Sequence, residues 1–290
     1  MDRITLPAER LPGNVRDPMI LNVEGKYYLT ATMPPFWGKS NAGVFLWSSD
    51  NLADWVEEGL IIDRESIPQD AWAKERFWAP EIFEYKGRFI LAFSCNHPGT
   101  QDSFGVFLAF SDSVKGPYVM QDPDWPLIAG GIDASFFEDH DKVYVSYAQG
   151  DVMISEVDTT EWKLEGIPVR AIERGEEGTW DHDGVEGNFI VKKNGRYFMW
   201  YSSWTRGYDI GLASSDTLLG TWTKHAFNPV ISKENGETSN ILCGHACVFV
   251  MNDGREGLAY HVHAYGEKEV LHMDIGDIDY ENITPWVSQE

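Results

Sequence analysis

The stretch Val185-Glu186-Gly187-Asn188-Phe189-Ile190-Val191-Lys192-Lys193-Asn194-Gly195-Arg196-Tyr197-Phe198-Met199-Trp200-Tyr201-Ser202-Ser203 decides the fold. Asn194-Gly195 separates two runs rich in β-branched and aromatic residues, the mark of a tight hairpin whose turn needs positive φ. A carboxylate, Glu186, stands at its entry. The unit recurs, with glycine turns at Glu24-Gly25, Lys86-Gly87 and Asp253-Gly254 and a polar turn at His140-Asp141. These turns lie roughly 50 to 60 residues apart, close to the period of kelch-like blades. Five hairpins predict an all-β chain folded as a five-bladed β-propeller. One domain over residues 1–290 is expected, with blades at about 15–62, 77–128, 132–172, 185–231 and 241–287 and an irregular segment over residues 1–14.

The residues ahead of each turn carry the functional reading. Asp17 lies eight residues before Gly25 and Asp133 eight before Asp141, while Glu186 lies nine before Gly195 and His245 nine before Gly254. Blade two has Ala79-Pro80-Glu81 in the equivalent place. With the first hairpin strand innermost in its blade, three carboxylates and a histidine point into one end of the central channel. Phe36 and Trp37, on a long loop after the second strand of blade one, are candidates to wall that pocket, or else structural. A Ser-Asp phrase followed by an aromatic residue closes blades at Ser49-Asp50, Ser111-Asp112 and Ser215-Asp216. Asp is expected to cap that turn and the ring to fill the gap between blades.

Composition narrows the function classes. A formal charge of −23 argues against polyanionic partners, because phosphate contacts need clustered Lys and Arg. Nucleic acid and anionic membrane are therefore poor candidates, and no apolar run approaches the roughly 18 residues of a membrane span. The first residues lack the apolar segment of a signal peptide, which gives a cytoplasmic expectation. Three cysteines are too few for a disulfide framework. Cys243, His245 and Cys247 alternate, so on a regular strand they would share one face as part of a zinc site; buried thiols are the plainer explanation. His261 and His263 are read as structural. Aromatic residues make up 13% of the chain, enough both for packing between blades and for stacking on sugars.

Three carboxylates facing one pocket suit glycosidic hydrolysis by direct displacement. That reaction needs a protonated acid at the leaving oxygen and an ionised base about 6.5–9.5 Å away, with room for a water. A third carboxylate near the acid would raise its pKa by repulsion. Arg16-Asp17-Pro18, Trp78-Ala79-Pro80-Glu81, Asp133-Ala134-Ser135-Phe136-Phe137, Val185-Glu186-Gly187 and Tyr201-Ser202-Ser203 followed by Tyr208-Asp209 resemble, in order and spacing, glycoside hydrolase family 43. The resemblance runs from about residue 14 to 265. It implies a five-bladed propeller and an inverting mechanism, with Asp17 as general base, Glu186 as general acid and Asp133 tuning that acid. It further implies Trp78 lining the pocket and His245 near the channel axis, reaching a calcium ion through waters. No cofactor is implied for the chemistry. The implied substrates are oligosaccharides ending in α-L-arabinofuranosyl or β-xylosyl residues. Asn188 departs from the family's usual Pro, and Gly244-His245-Ala246 from its usual His-Gly.

Simpler readings stand beside these. Asp17 could cap a strand entry, Asp133 form a turn, Trp78 fill core and His245 be a satisfied core histidine. At the level of function, the alternatives are an endo-1,5-α-L-arabinanase, a glycoside phosphorylase and a propeller that binds carbohydrate without turnover.

Overall fold

The structure, a computed structural model, describes residues 2–6, 15–99, 103–232, 241–264, 270–276, 278–283 and 285. The side chain of His263 and residues 286 and 287 of the expected fifth blade lie outside the described set. After an N-terminal strand β1 (Asp2–Leu6), blade one contains β2 (Arg16–Val23), β3 (Lys26–Thr32), β4 (Gly43–Ser49) and β5 (Val56–Asp63). Blade two contains β6 (Glu75–Tyr85), β7 (Arg88–Asn96), β8 (Phe104–Ser111), β9 (Val119–Met120) and β10 (Ile128–Ala129). Blade three runs through β11 (Ile132–Asp139), β12 (Lys142–Gln149), β13 (Asp151–Asp158) and β14 (Lys163–Ile172). Blade four holds β15 (Glu186–Lys193), β16 (Arg196–Ser203), β17 (Asp209–Ser215) and β18 (Thr223–Lys224), and blade five β19 (Ile241–Val250), β20 (Glu256–Ala264) and β21 (Val270–Ile275). The result is a five-bladed β-propeller of antiparallel sheets. No helix among the described residues is long and apolar enough to cross a membrane.

The turns explain the repeat. Both residues of Asn194-Gly195, Lys86-Gly87, Glu24-Gly25 and His140-Asp141 have positive φ, the geometry that matches the twist of a two-residue hairpin. His140-Asp141 makes the same turn without glycine, because Asp tolerates the left-handed region better than most residues do. The closing phrases differ from expectation in one respect: serine, not aspartate, caps the turn. Ser49 Oγ accepts from the Leu52 amide at 2.9 Å, Ser111 Oγ from Ser113 at 3.0 Å and Ser215 Oγ from Thr217 at 3.3 Å. The aromatic residue then ties back, with Trp55 Nε1 donating to Leu52 O and Trp222 Nε1 to Leu218 O.

The apolar core is divided among the seams between blades. Leu46 and Val44 meet Phe77 and Phe93 between blades one and two, and Phe198 and Trp200 meet Leu258 and Tyr260 between four and five. Leu29 and Trp47 meet Leu271 and Met273 where the last blade returns to the first. Outer strands such as β5 and β14 stay mostly exposed. Residues 2–6, expected as irregular, form the outer strand of blade five instead. β1 pairs antiparallel with β21, Asp2 opposite Ile275 and Leu6 opposite Leu271, so the two ends of the chain close the ring together.

Candidate active site

Every innermost strand carries the same defect. Its register against the second strand slips after Arg16 in β2, Trp78 in β6, Ile132 in β11, Glu186 in β15 and Gly244 in β19. The next residues, Asp17, Ala79, Asp133, Gly187 and His245, all have φ between 42° and 58°. Such bulges re-aim a side chain, and a left-handed conformation costs non-glycine residues free energy, so the folded ring must hold it in place. Asp17, Asp133 and His245 share this ring position. Glu186 does not: Gly187 fills it in blade four, and Glu186 stands one place earlier, level with Arg16 and Trp78. A Cβ at Gly187 would stand 3.1 Å from both His245 Cα and Ser202 Oγ, which explains the glycine.

Hydrogen bonds passed from blade to blade hold the bulges. The Ala79 amide donates to Thr32 Oγ1 (2.7 Å), that of Asp133 to Ser94 Oγ (3.0 Å), that of His245 to Ser202 Oγ (2.8 Å) and that of Asp17 to His261 Nδ1 (3.2 Å). Each acceptor sits on the second strand of the preceding blade, opposite the residue where the register slips. In blade three that place belongs to Ala148, which has no hydroxyl to offer. The Gly187 amide turns instead to Asp133 Oδ2, at 2.9 Å.

One small pocket, of about 50 Å³, collects Asp17, Phe36, Trp37, Trp78, Asp133 and Glu186, together with Arg16, Thr32, Ile132 and Tyr208. A wider open groove around Arg170, Arg174 and Trp222 contains none of these acids. Asp17 Oδ2 accepts from the Thr32 hydroxyl at 2.6 Å. The Arg16 guanidinium lies over the Tyr208 ring at 4.8 Å and near Trp37 and Phe36 at 5.6 and 5.7 Å. Trp37 meets Trp78 edge-on, and the Trp78 Nε1 hydrogen is buried with no hydrogen-bond partner.

Glu186 opens on the pocket along one flank, while its carboxyl is otherwise walled in. Burial first, then the charge of Asp133, push it up to about 8. The Tyr208 hydroxyl, kept protonated mainly by burial, donates to Glu186 Oε1 and opposes that rise. Beneath the pocket, His245 Nδ1 lies 3.6 Å from both Asp17 Oδ1 and Asp133 Oδ2, and Nε2 lies 3.8 Å from Glu81 Oε1. These are charge contacts, too long for hydrogen bonds. Burial opposes charging of the ring, but the attraction of Asp133, Glu81 and Asp17 outweighs it and holds the imidazole well above its usual value. Glu81 is raised by burial, with His245 pulling the other way.

The implied calcium meets a difficulty here. A water-bridged calcium needs an imidazole nitrogen with a free lone pair, or oxygens turned toward it. Both nitrogens of His245 face carboxylates, so these residues do not fit a calcium held through His245. Among the described residues no group of three His, Cys, Asp or Glu could hold a metal. The zinc reading also gives way, since the register slip after Gly244 breaks the alternation it assumed. Cys247 Sγ accepts from the Ile20 amide and Cys243 donates to Ile231 O.

The sequence reading missed Arg16, Tyr208, Glu81 and the hydroxyl acceptors. Arg16 and Tyr208 stood inside recognised motifs, and Glu81 beside the equivalent place in blade two. Their parts come from contacts through space, across blades for Arg16 and Glu81 and within blade four for Tyr208, which spacing does not reveal. His261, read as structural, fixes the backbone at Asp17.

A family model for glycosyl hydrolases family 43 matches residues 10–276. A relative in Streptomyces chartreusis, named an extracellular exo-alpha-(1->5)-L-arabinofuranosidase, is 27% identical over 278 residues, covering 85% of this chain and 79% of its own. One in Cellvibrio japonicus, named extracellular exo-alpha-(1->5)-L-arabinofuranosidase ArbA, is 24% identical over 221 residues, covering 66% of this chain and 59% of its own. A crystal structure of a thermostable family-43 glycoside hydrolase matches with a TM-score of 0.77 at 29% identity, covering 96% of this chain and 95% of that one. These names overturn the cytoplasmic expectation. The relatives in Streptomyces and Cellvibrio are both named extracellular, and the first residues of this chain do not carry the opposite conclusion.

Proposed function

The chain belongs to glycosyl hydrolase family 43 and is a glycoside hydrolase, and from that premise we propose that it releases terminal pentose residues from oligosaccharides by a single displacement. Asp17 takes the proton of the attacking water. Glu186 protonates the leaving oxygen, and Asp133 holds that acid in its protonated form and fixes the bulge beside it. Arg16 and the Trp78 indole N–H donate to sugar hydroxyls. The terminal sugar is α-L-arabinofuranosyl, with β-xylosyl the second choice. The name of the Streptomyces relative supports the first.

The observation that carries this reading is the pairing of environments. Glu186 and Asp17 open on the same pocket, and burial and the charge of Asp133 drive Glu186 toward the neutral form. A carboxyl held protonated beside a second carboxyl in one pocket is what the acid role requires. The aromatic wall of Phe36 and Trp37 and the small volume favour a chain end over the middle of a polymer. Asp17→Asn and Glu186→Gln are each expected to cut kcat on aryl α-L-arabinofuranosides by about 10²- to 10⁴-fold with an unchanged circular dichroism spectrum. Wild-type activity in either variant removes the assignment, and NMR of the first-formed anomer tests inversion. Binding of pentosides without turnover by the wild type would favour the non-catalytic reading.

A further inference from the structure

We propose that Trp204, lying across Gly184, forms the platform for the sugar on the leaving side of the scissile bond, a pentose unit stacked on the indole. The inference rests on the glycosidase reading above.

β15 and β16 place Glu186 opposite Ser202. Beyond the ends of these strands, Gly184 lies against the ring of Trp204. A Cβ at Gly184 would stand 2.2 Å from Cη2 and 2.5 Å from Cζ2 of the indole, so the ring occupies the space a side chain would take. Gly184 has no left-handed φ, and its missing side chain serves the ring rather than a turn. The loop is fastened by three contacts: the Asp183 amide to Thr205 Oγ1 at 2.9 Å, Ser203 Oγ to Thr205 Oγ1 at 2.9 Å, and the Gly207 amide to Trp204 O at 3.0 Å. Even so, Trp204 remains 38% exposed. A large ring rigidly held yet open to solvent is a surface prepared for an apolar or stacking partner.

The direction of the reaction says which sugar it takes. In a single displacement the water enters on the side of Asp17 and the leaving oxygen sits at Glu186, so the leaving sugar extends past Glu186. Two residues along an extended strand span about 6.5–7 Å, close to the width of one sugar ring. Gly184 stands two residues before Glu186, and Trp204 precedes Tyr208, whose hydroxyl meets the Glu186 carboxyl. Trp37, the exposed aromatic of blade one, stands with Arg16 in the pocket wall, beside the base.

The test compares kcat/KM for an α-1,5-linked arabinotriose and for methyl α-L-arabinofuranoside, whose leaving group is no sugar. Trp204→Ala is expected to lower the trisaccharide-to-methyl ratio about tenfold, the size of one lost stacking contact. Trp204→Phe should recover most of that ratio, and Gly184→Ala should lower it with Trp204 intact. Calorimetric binding of arabinotriose to the Glu186→Gln chain should weaken about tenfold when Trp204→Ala is added. An unchanged ratio in an active enzyme overturns this inference and leaves the glycosidase reading standing. A wild type that neither binds nor cleaves either compound removes both.

Discussion

At the scale of single residues the acidity of Glu186 is set by neighbours that pull in opposite directions. An acid catalyst works below its own pKa, so activity should be lost as pH rises through the elevated value of Glu186, near 8. Asp133→Asn removes a repelling charge and should move the alkaline limb of kcat/KM to lower pH. Tyr208→Phe removes a donor that favours the carboxylate and should move it to higher pH, each by roughly half a unit to one unit. A pH–rate profile of the two variants decides this; limbs moving in the same direction would refute the assignment. Asp17 and Asp133 were legible from the sequence because both sit at the same offset from a turn. Glu186 was legible as an acid but misplaced by one step, because the left-handed position in its blade went to Gly187. Arg16 and Tyr208 were opaque, since Arg16 acts on Glu186 from another blade and Tyr208 from a connection of the same blade more than twenty residues on.

At the scale of elements the hairpins could be read from their turns, whereas the bulges could not. A register slip leaves no mark in composition beyond an occasional glycine. What holds the bulges is the relay of hydroxyl acceptors, interrupted once at Ala148. That interruption leaves the Gly187 amide to Asp133 and so ties the Asp133 carboxylate to the strand that bears Glu186. Ala148→Ser would offer the amide its standard partner and release Asp133. It is expected to lower kcat/KM several-fold, roughly 3- to 10-fold, with little change in melting temperature. Ser94→Ala works the other way, leaving the buried amide of Asp133 without an acceptor and costing about 1–3 kcal/mol of stability in urea unfolding. If both substitutions behave alike, the relay has been misread.

At the scale of the whole molecule, the number of blades could be read from repeat spacing, but the closure could not. β1 and β21 meet from opposite ends of the sequence, and nothing near residue 2 signals a partner near residue 275. Deleting residues 2–6 bares an edge of blade five and opens the seam. It should lower the melting midpoint by on the order of 5–10 °C in calorimetry, and an unchanged midpoint would show that the ring closes without that strand. The radial build also bears on how such a chain can change over generations. Its chemistry sits on innermost strands locked to one another, while outer strands such as β5 and β14 touch mainly solvent. Substitutions, insertions and whole decorations can therefore accumulate at the periphery without disturbing the hub. Random mutagenesis should find tolerance rising steadily from axis to rim, so that new specificities are cheapest to reach through the loops.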